Sequence, residues 1–315
     1  MAAVMAPASA LRSLRCEHRI RRGSFLGMSS EREATTMRGW PLCRYDSIKK
    51  RHGFTAKVVA WNVEWATPRS RRSPEILARI FVDYDPDIVC LTEADFNLLA
   101  DRSGSVTYSQ PDGIRAKTDG SLRKVVLWSK EPWEKVDTQG VDTLPPGKFV
   151  SAVTTTPLGE VTVVGVCIPY RDARVRWTND GVTRKPWEDH KQYLAGLNEV
   201  LRSMPANPLV LLGDFNQQVG QTGYAPRSLR GTLRAALPER ITIATSALGF
   251  DGRRVIDQIA ISEDLSAQSL SLISRYCSDK SLTDHVGVCA DLGAQSAPAL
   301  NPTENHAFER FTGPL

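Results

Sequence analysis

Residues 209–216 read Leu209-Val210-Leu211-Leu212-Gly213-Asp214-Phe215-Asn216. Four aliphatic residues run together, then a glycine, then an acid. The run is too short for a helix of ordinary length and is apolar on both faces, as in a strand covered by other layers on each side. The first acid falls where the apolar run stops.

The same pattern recurs to either side. Lys57–Trp61 leads into Asn62-Val63-Glu64, and Asp87–Leu91 leads into Thr92-Glu93-Ala94-Asp95. Val255-Ile256-Asp257-Gln258-Ile259 carries an acid inside an otherwise apolar run, and the last strand opens with Thr283-Asp284-His285. Strands are expected at 57–63, 87–92, 124–128, 149–155, 161–168, 209–212, 255–261 and 286–291. Pro157-Leu158-Gly159-Glu160 reads as a hairpin between two of them. Two helices stand out. One has Ser73 as cap and Pro74 in its first turn, and continues through Glu75–Val82. The other runs from about Trp187 to Arg202, with His190, Tyr193, Leu194, Leu197 and Leu201 on one face. Strands dominate, and several are apolar on both faces. The architecture these residues imply is α/β, two packed sheets with outer helices.

Composition bounds the rest. The chain has 315 residues, and no apolar run approaches the roughly 18 residues that a membrane-spanning helix needs. No integral membrane contact is therefore expected. The six cysteines include no CxxC pair, so neither a disulfide scaffold nor a zinc ribbon is indicated. Cys90, Cys167 and Cys289 lie in apolar runs, where a free thiol behaves as a small hydrophobe. A cytoplasmic location and a monomer are the expectations.

Charge is unevenly spread. Residues 1–56 hold eleven Lys/Arg against four acids, so this segment is +7 and the remainder −2. A basic, disordered N-terminal extension is expected over 1–55, a catalytic body over 56–293 and a disordered polar tail over 294–315. The extension reads as a transit peptide, as a leader ahead of a start at Met28 or Met37, or as a basic nucleic-acid-binding arm. The body is not strongly basic, so any attraction for nucleic acid must come from local patches.

Strand period puts Asn62 and Glu64 on one face, and Asp214 and Asn216 on one face. Asp284 and His285 would point apart in a fully extended strand, so they share a site only if the chain is still turning there. Acids that converge at strand ends raise one another's pKa or need a cation. A hard divalent ion with oxygen ligands answers that need: Mg²⁺, or Mn²⁺ in its place. The candidate ligands are Glu93, Asn62 and Asp284. Zinc is disfavoured, because the body offers only His190 and His285 and no cysteine at ligand spacing.

Trp61-Asn62-Val63-Glu64, Leu91-Thr92-Glu93, Gly213-Asp214-Phe215-Asn216, Ile256-Asp257-Gln258-Ile259 and Thr283-Asp284-His285 occur in an order that resembles the endonuclease/exonuclease/phosphatase superfamily, the deoxyribonuclease-I-like fold. The resemblance covers about residues 57–292. It implies a four-layer sandwich and Mg²⁺-dependent hydrolysis of phosphate esters. By position it makes Glu93 the principal metal ligand, with Asn62 assisting and Asp284 near the metal. It makes Asp214 the residue that orients or activates water, Asn216 its partner at the phosphate, Asp257 the acid bonded to a histidine, and His285 that histidine. Glu64, Cys167, Arg171, Arg174 and His190 are candidate phosphate contacts. Cys167 departs from the pattern, since the family usually supplies a His or Tyr there and a thiol is a poor donor. His190 also reads as a satisfied core histidine, and the arginines as a solvated loop. Nucleic acid is the expected substrate. An inositol phosphate, a sphingomyelin-type lipid headgroup, or phosphate binding without turnover are the alternatives.

Overall fold

The computed structural model describes residues 54–112, 120–173, 175, 184–219 and 225–295. The basic extension up to residue 53, the tail beyond 295 and Arg174 lie outside the described residues. In chain order the strands of the main sheets begin with β1 (Thr55–Ala66), β2 (Ile88–Asp95), β3 (Ser105–Tyr108) and β4 (Leu122–Ser129). Then come β5 (Glu134–Asp137), β6 (Phe149–Thr156), β7 (Gly159–Cys167) and β8 (Leu209–Asp214). The last are β9 (Ile241–Ile243), β10 (Asp257–Ser262), β11 (Leu265–Ile273) and β12 (Gly287–Ala294). Among the described residues they form two six-stranded sheets, ordered β11-β12-β1-β2-β4-β3 and β5-β6-β7-β8-β10-β9. The pairs β1/β2 and β7/β8 are parallel, and the other pairings are antiparallel.

Alternation along each strand builds three apolar layers. Val58 and Ala60 of β1, Ile88 and Cys90 of β2, and Val125 and Leu127 of β4 face the second sheet, where Val163, Val210, Leu212 and Ile259 meet them. The residues between them, Val59, Trp61, Val89, Leu91 and Val126, face outward with Ile76 and Ile80 of α1 (Ser73–Phe81). On the far side, Val164, Val166, Leu209 and Leu211 pack with Tyr193, Leu194, Leu197 and Leu201 of α2 (Glu188–Ser203) and Leu233 of α3 (Arg227–Ala236). The result is a four-layer sandwich: helix, sheet, sheet, helices. Each fully buried aliphatic side chain in these layers contributes roughly 1.5–3 kcal/mol. Gly165 lets the sheets close, because a Cβ there would lie 2.6 Å from Val125 Cγ1 and 2.9 Å from Leu127 Cδ2.

Several expectations shift in detail. Ser73 does not cap α1: it is the first helical residue, and its hydroxyl donates to the Thr67 carbonyl at 2.7 Å. The hairpin expected at 157–160 closes β6 and β7, with Thr156 opposite Gly159. Gly159 has φ 92°, which a side chain resists. Asn62 and Glu64 do not share a face. Glu64 and Trp65 take φ 47° and 60° at an irregularity in the β1/β2 pairing, so the strand alternation is lost between them.

Candidate active site

The inter-sheet layer is apolar along most of its length and turns polar at one end. That end is where the parallel pairs β1/β2 and β7/β8 finish. Asn62 and Asp214 occupy the next inward-facing positions after Ala60 and Leu212. Asp257 opens β10 and lies directly opposite Asp214 in the ladder. His285 comes just before β12, and the chain there is still turning, held by Thr283. The Thr283 hydroxyl donates to the Asn62 carbonyl at 2.9 Å and accepts from the His285 N–H at 3.3 Å. The indole N–H of Trp61 reaches the His285 carbonyl at 3.2 Å. The turn therefore brings Asp284 and His285 to one side, which an extended strand would not do.

These groups make one hydrogen-bonded network. Asp214 accepts from Asn62 Nδ2 at 3.0 Å, and from the N–H and Nδ2 of Asn216, both at 2.8 Å. Asn216 takes φ 49°, a conformation that asparagine tolerates, and also donates to the Ile168 carbonyl at 2.9 Å. Asp257 is fully buried, and both its oxygens are used: one accepts the Asn62 N–H at 2.8 Å, the other contacts His285 Nδ1 at 2.9 Å. An unpaired carboxylate at that depth would cost several kcal/mol. The partners are the reason the sandwich tolerates two acids here.

The surroundings set the charge states. Burial pushes the Asp214 carboxyl up to about 6, with Asp257 adding to the rise; His285 and the hydrogen bonds from Asn62 and Asn216 oppose it. Burial works against a charged His285, but Asp257, Asp214 and Asp284 outweigh it and lift the imidazole to about 10. His285 is thus a cation at neutral pH. Its Nε2 lies 3.8 Å from Asp284, whose side chain is exposed.

Glu93 stands beside this network, on the residue after Thr92, which pairs with Asn62 across β1/β2. Its carboxylate contacts the Lys124 ammonium at 2.6 Å, and that ammonium also sits 4.6 Å from the centroid of the Trp65 ring. Among the described residues, the one cluster of acids and histidine with atoms mutually within 4.8 Å is Asp214, Asp257 and His285. Its carboxylate oxygens are already committed to N–H donors. The donors better suited to a hard cation are the Glu93 carboxylate, which already attracts an ammonium, and Asn62 Oδ1, which accepts one N–H, that of Glu64 at 2.9 Å, and has a second lone pair to offer. Asp284 lies one residue from Thr283, which bonds Asn62. These are oxygen ligands throughout, and they fit Mg²⁺ or Mn²⁺ in kind.

The other candidate contacts fall in different places. The Glu64 carboxylate pairs with Arg72 at 2.9 Å. Cys167 is 2% exposed, and burial lifts its thiol to about 12, so it stays a neutral thiol. His190 is fully buried, with Nδ1 2.8 Å from the Pro169 carbonyl and Nε2 2.8 Å from Gln217 Oε1, which ties α2 to the loops after β7 and β8. Arg171 is half exposed, lies 3.6 Å from Asp172 and lines a cleft of about 280 Å³ with Asn216, Tyr170 and Trp187. A second cleft, about 460 Å³, is lined by His285, Asp284, Arg275 and Phe250. Both clefts share Gln218 and Ile256, so they adjoin on either side of the network. Sequence reasoning passed over Lys124, Arg275 and Thr283. Only Lys124 had a usable signal, since antiparallel pairing of 124–128 with 87–92 would set it near Glu93.

The model of the Endonuclease/Exonuclease/phosphatase family matches residues 59–285. No curated protein matches the chain. Similar solved structures include an endonuclease/exonuclease/phosphatase from Beutenbergia cavernae, with 18% identity and a TM-score of 0.52 over 78% of this chain and 73% of that one. Another is D. rerio TDP2 complexed with a single-strand DNA product, with 12% identity and a TM-score of 0.54 over 76% of this chain and 99% of that one. A third is the Neisseria 3' phosphatase NExo bound to a product DNA hairpin, with 18% identity and a TM-score of 0.52 over 75% of this chain and 98% of that one. At these identities the likeness establishes the fold.

Proposed function

Since the chain belongs to the endonuclease/exonuclease/phosphatase family, we propose that it is a divalent-metal-dependent phosphodiesterase whose substrate is nucleic acid. The observation that carries this reading is the buried network of Asn62, Asp214, Asn216, Asp257 and His285 beside the Glu93 carboxylate. Three N–H donors hold Asp214, so its carboxylate cannot swing away from an attacking water. A carboxyl lifted to about 6 is ionised at neutral pH, yet is a stronger base than an ordinary aspartate. It takes the proton as the water oxygen attacks phosphorus. The bond to the leaving oxygen breaks and that oxygen takes up a proton from solvent, giving a phosphomonoester and an alcohol. His285, kept cationic by Asp257, stabilises the charge that grows on the phosphoryl oxygens. A bound divalent ion would add Lewis-acid stabilisation of the same charge, and Glu93, Asn62 Oδ1 and Asp284 would hold it.

The substrate assignment rests on the flanks. One cleft presents Arg275 and Phe250, with the Tyr276 ring centroid 6.5 Å from that of Phe250. The other presents Arg171 and the exposed Tyr170 ring. Cations interleaved with aromatic rings suit a phosphodiester backbone whose bases stack. The TDP2 and NExo structures were solved with DNA products, and that supports the same substrate class here.

A substrate panel tests the reading. Single- and double-stranded DNA, RNA, inositol phosphates and sphingomyelin are each incubated with Mg²⁺, with Mn²⁺ and with EDTA. The expectation is hydrolysis of nucleic acid, metal-dependent and weakened by salt. Preference for an inositol phosphate or sphingomyelin would overturn the substrate class. Inertness of the folded protein with both metals would overturn the enzyme.

A further inference from the structure

One row of cross-strand neighbours crosses the second sheet at the site. Asp257 lies opposite Asp214, and Asp214 opposite Cys167. The row has a fourth member. The Cys167 N–H donates to the Lys148 carbonyl at 3.0 Å, next to the Phe149–Val166 pair of the β6/β7 ladder. Residues opposite each other in a ladder point to the same face. Cys167 and Val150 both face the inter-sheet layer, and Lys148 precedes Val150 by two, so it faces that layer too. At the usual strand spacing, its Cα stands about 10 Å from that of Asp214.

Lys148 is only 7% exposed. Among the described residues, the acids that act on its ammonium are Asp112 and Glu93. Of these, Glu93 is already paired with Lys124. Taking an ammonium out of water is costly. Burial lowers the pKa of Lys148, with Lys124 adding to the fall and Cys167, Asp112 and Glu93 opposing it. The backbone holds it in place all the same. Its carbonyl also accepts from the Tyr193 hydroxyl at 2.8 Å, and Gly147 (φ 81°) packs so closely that a Cβ would lie 2.7 Å from Asp112 Cα. A small thiol fills the next position in the row, where the family pattern has a ring that donates to phosphate.

We infer that Lys148 is the phosphate-binding residue that takes the place of that ring, donating to a non-bridging oxygen of the substrate's phosphate ester. The inference builds on the phosphoesterase reading and supplies it with an anion contact that Cys167 cannot make. The ammonium gains a hydrogen-bonded anion, and the phosphate gains a charged donor on the side of the row away from Asp257.

The test separates binding from turnover. Inorganic phosphate is titrated calorimetrically into the full-length, metal-free chain and into Lys148→Met, Lys148→Arg and, as a control, the exposed Lys191→Met. The Met variant should bind phosphate roughly tenfold or more weakly, as for loss of one charged hydrogen bond. The Arg and Lys191 variants should bind nearly as well as the wild type. In turnover the Met variant should raise KM for a phosphodiester as well as lower kcat. Wild-type phosphate affinity in a folded Lys148→Met protein would overturn the inference. Should that variant not fold, the side-chain Cε signal of Lys148 in the wild type, assigned with Lys148→Arg, must shift when phosphate is added; an unmoved signal overturns the inference. A wild type that binds phosphate through Lys148 but hydrolyses nothing would instead count against the phosphoesterase reading alone.

Discussion

Replacing Asp257 with asparagine removes one charge from the centre of the network and leaves its shape. Asp257 is fully buried, with one oxygen on the Asn62 N–H and the other on His285 Nδ1. An amide has one oxygen to offer, so one of those contacts must face an NH₂ group. The larger effect is on His285. Raising an imidazole from 6.5 to about 10 is worth about 5 kcal/mol of preference for the imidazolium. Asp257 is the foremost of the three acids responsible and the one in contact. Without it, burial works against the cation with less opposition, and His285 should titrate well below 10. At pH 7.5 hydrolysis of bis-p-nitrophenyl phosphate should then fall by about 10²-fold or more, in line with loss of a positioned acid–base group. The sign also fixes a stability test on the metal-free protein. A histidine raised in the folded state stabilises fully below its unfolded value of 6.5, and that stability disappears as pH rises through about 10. The wild-type urea midpoint should therefore drop between pH 6 and 10 by more than that of Asp257→Asn. Equal turnover in the two proteins, with the same His285 titration by NMR, would refute the reasoning.

Three further outcomes follow from the geometry. The rate should fall as pH drops through about 6, because Asp214 must be a carboxylate to accept a proton; the pH profile of kcat checks this, and a flat rate from pH 8 to 5 would contradict it. Gly165→Val should destabilise the fold by about 1–3 kcal/mol in urea unfolding, since its side chain would press into Val125 and Leu127 between the sheets. Trp61→Phe keeps a ring against Gly287 but loses the 3.2 Å bond to the His285 carbonyl. It should cost about 1 kcal/mol of stability and lower kcat more than it changes KM, which steady-state kinetics would show.

The sandwich was legible because its inner strands carry local marks. Leu209–Leu212 and Val58–Trp61 are apolar on both faces, and each stops at a polar residue that the fold turns to use. Asp257 was legible as an anomaly, an acid inside an apolar strand. The outer elements were harder to see. β11 reads Leu-Ser-Ala-Gln-Ser-Leu-Ser-Leu-Ile and lies at a sheet edge, where half-exposed serines mask the apolar period. α3 carries Gly231 at its middle and no side-chain cap at its start, so neither propensity nor capping announces it. The shared face expected of Asn62 and Glu64 is lost because positive φ at Glu64 and Trp65 breaks the alternation, and nothing in Val63-Glu64-Trp65 signals that. Lys148 belongs to the site only through ladder register, which links positions far apart in sequence.

The most direct measurement is turnover of bis-p-nitrophenyl phosphate by the purified chain at pH 7.5, with Mg²⁺ and with EDTA, beside Asp214→Asn at matched folding. The account predicts hydrolysis by the wild type that stops with EDTA and falls at least about 10²-fold in the variant. Equal hydrolysis by both proteins, or hydrolysis indifferent to EDTA, would contradict it.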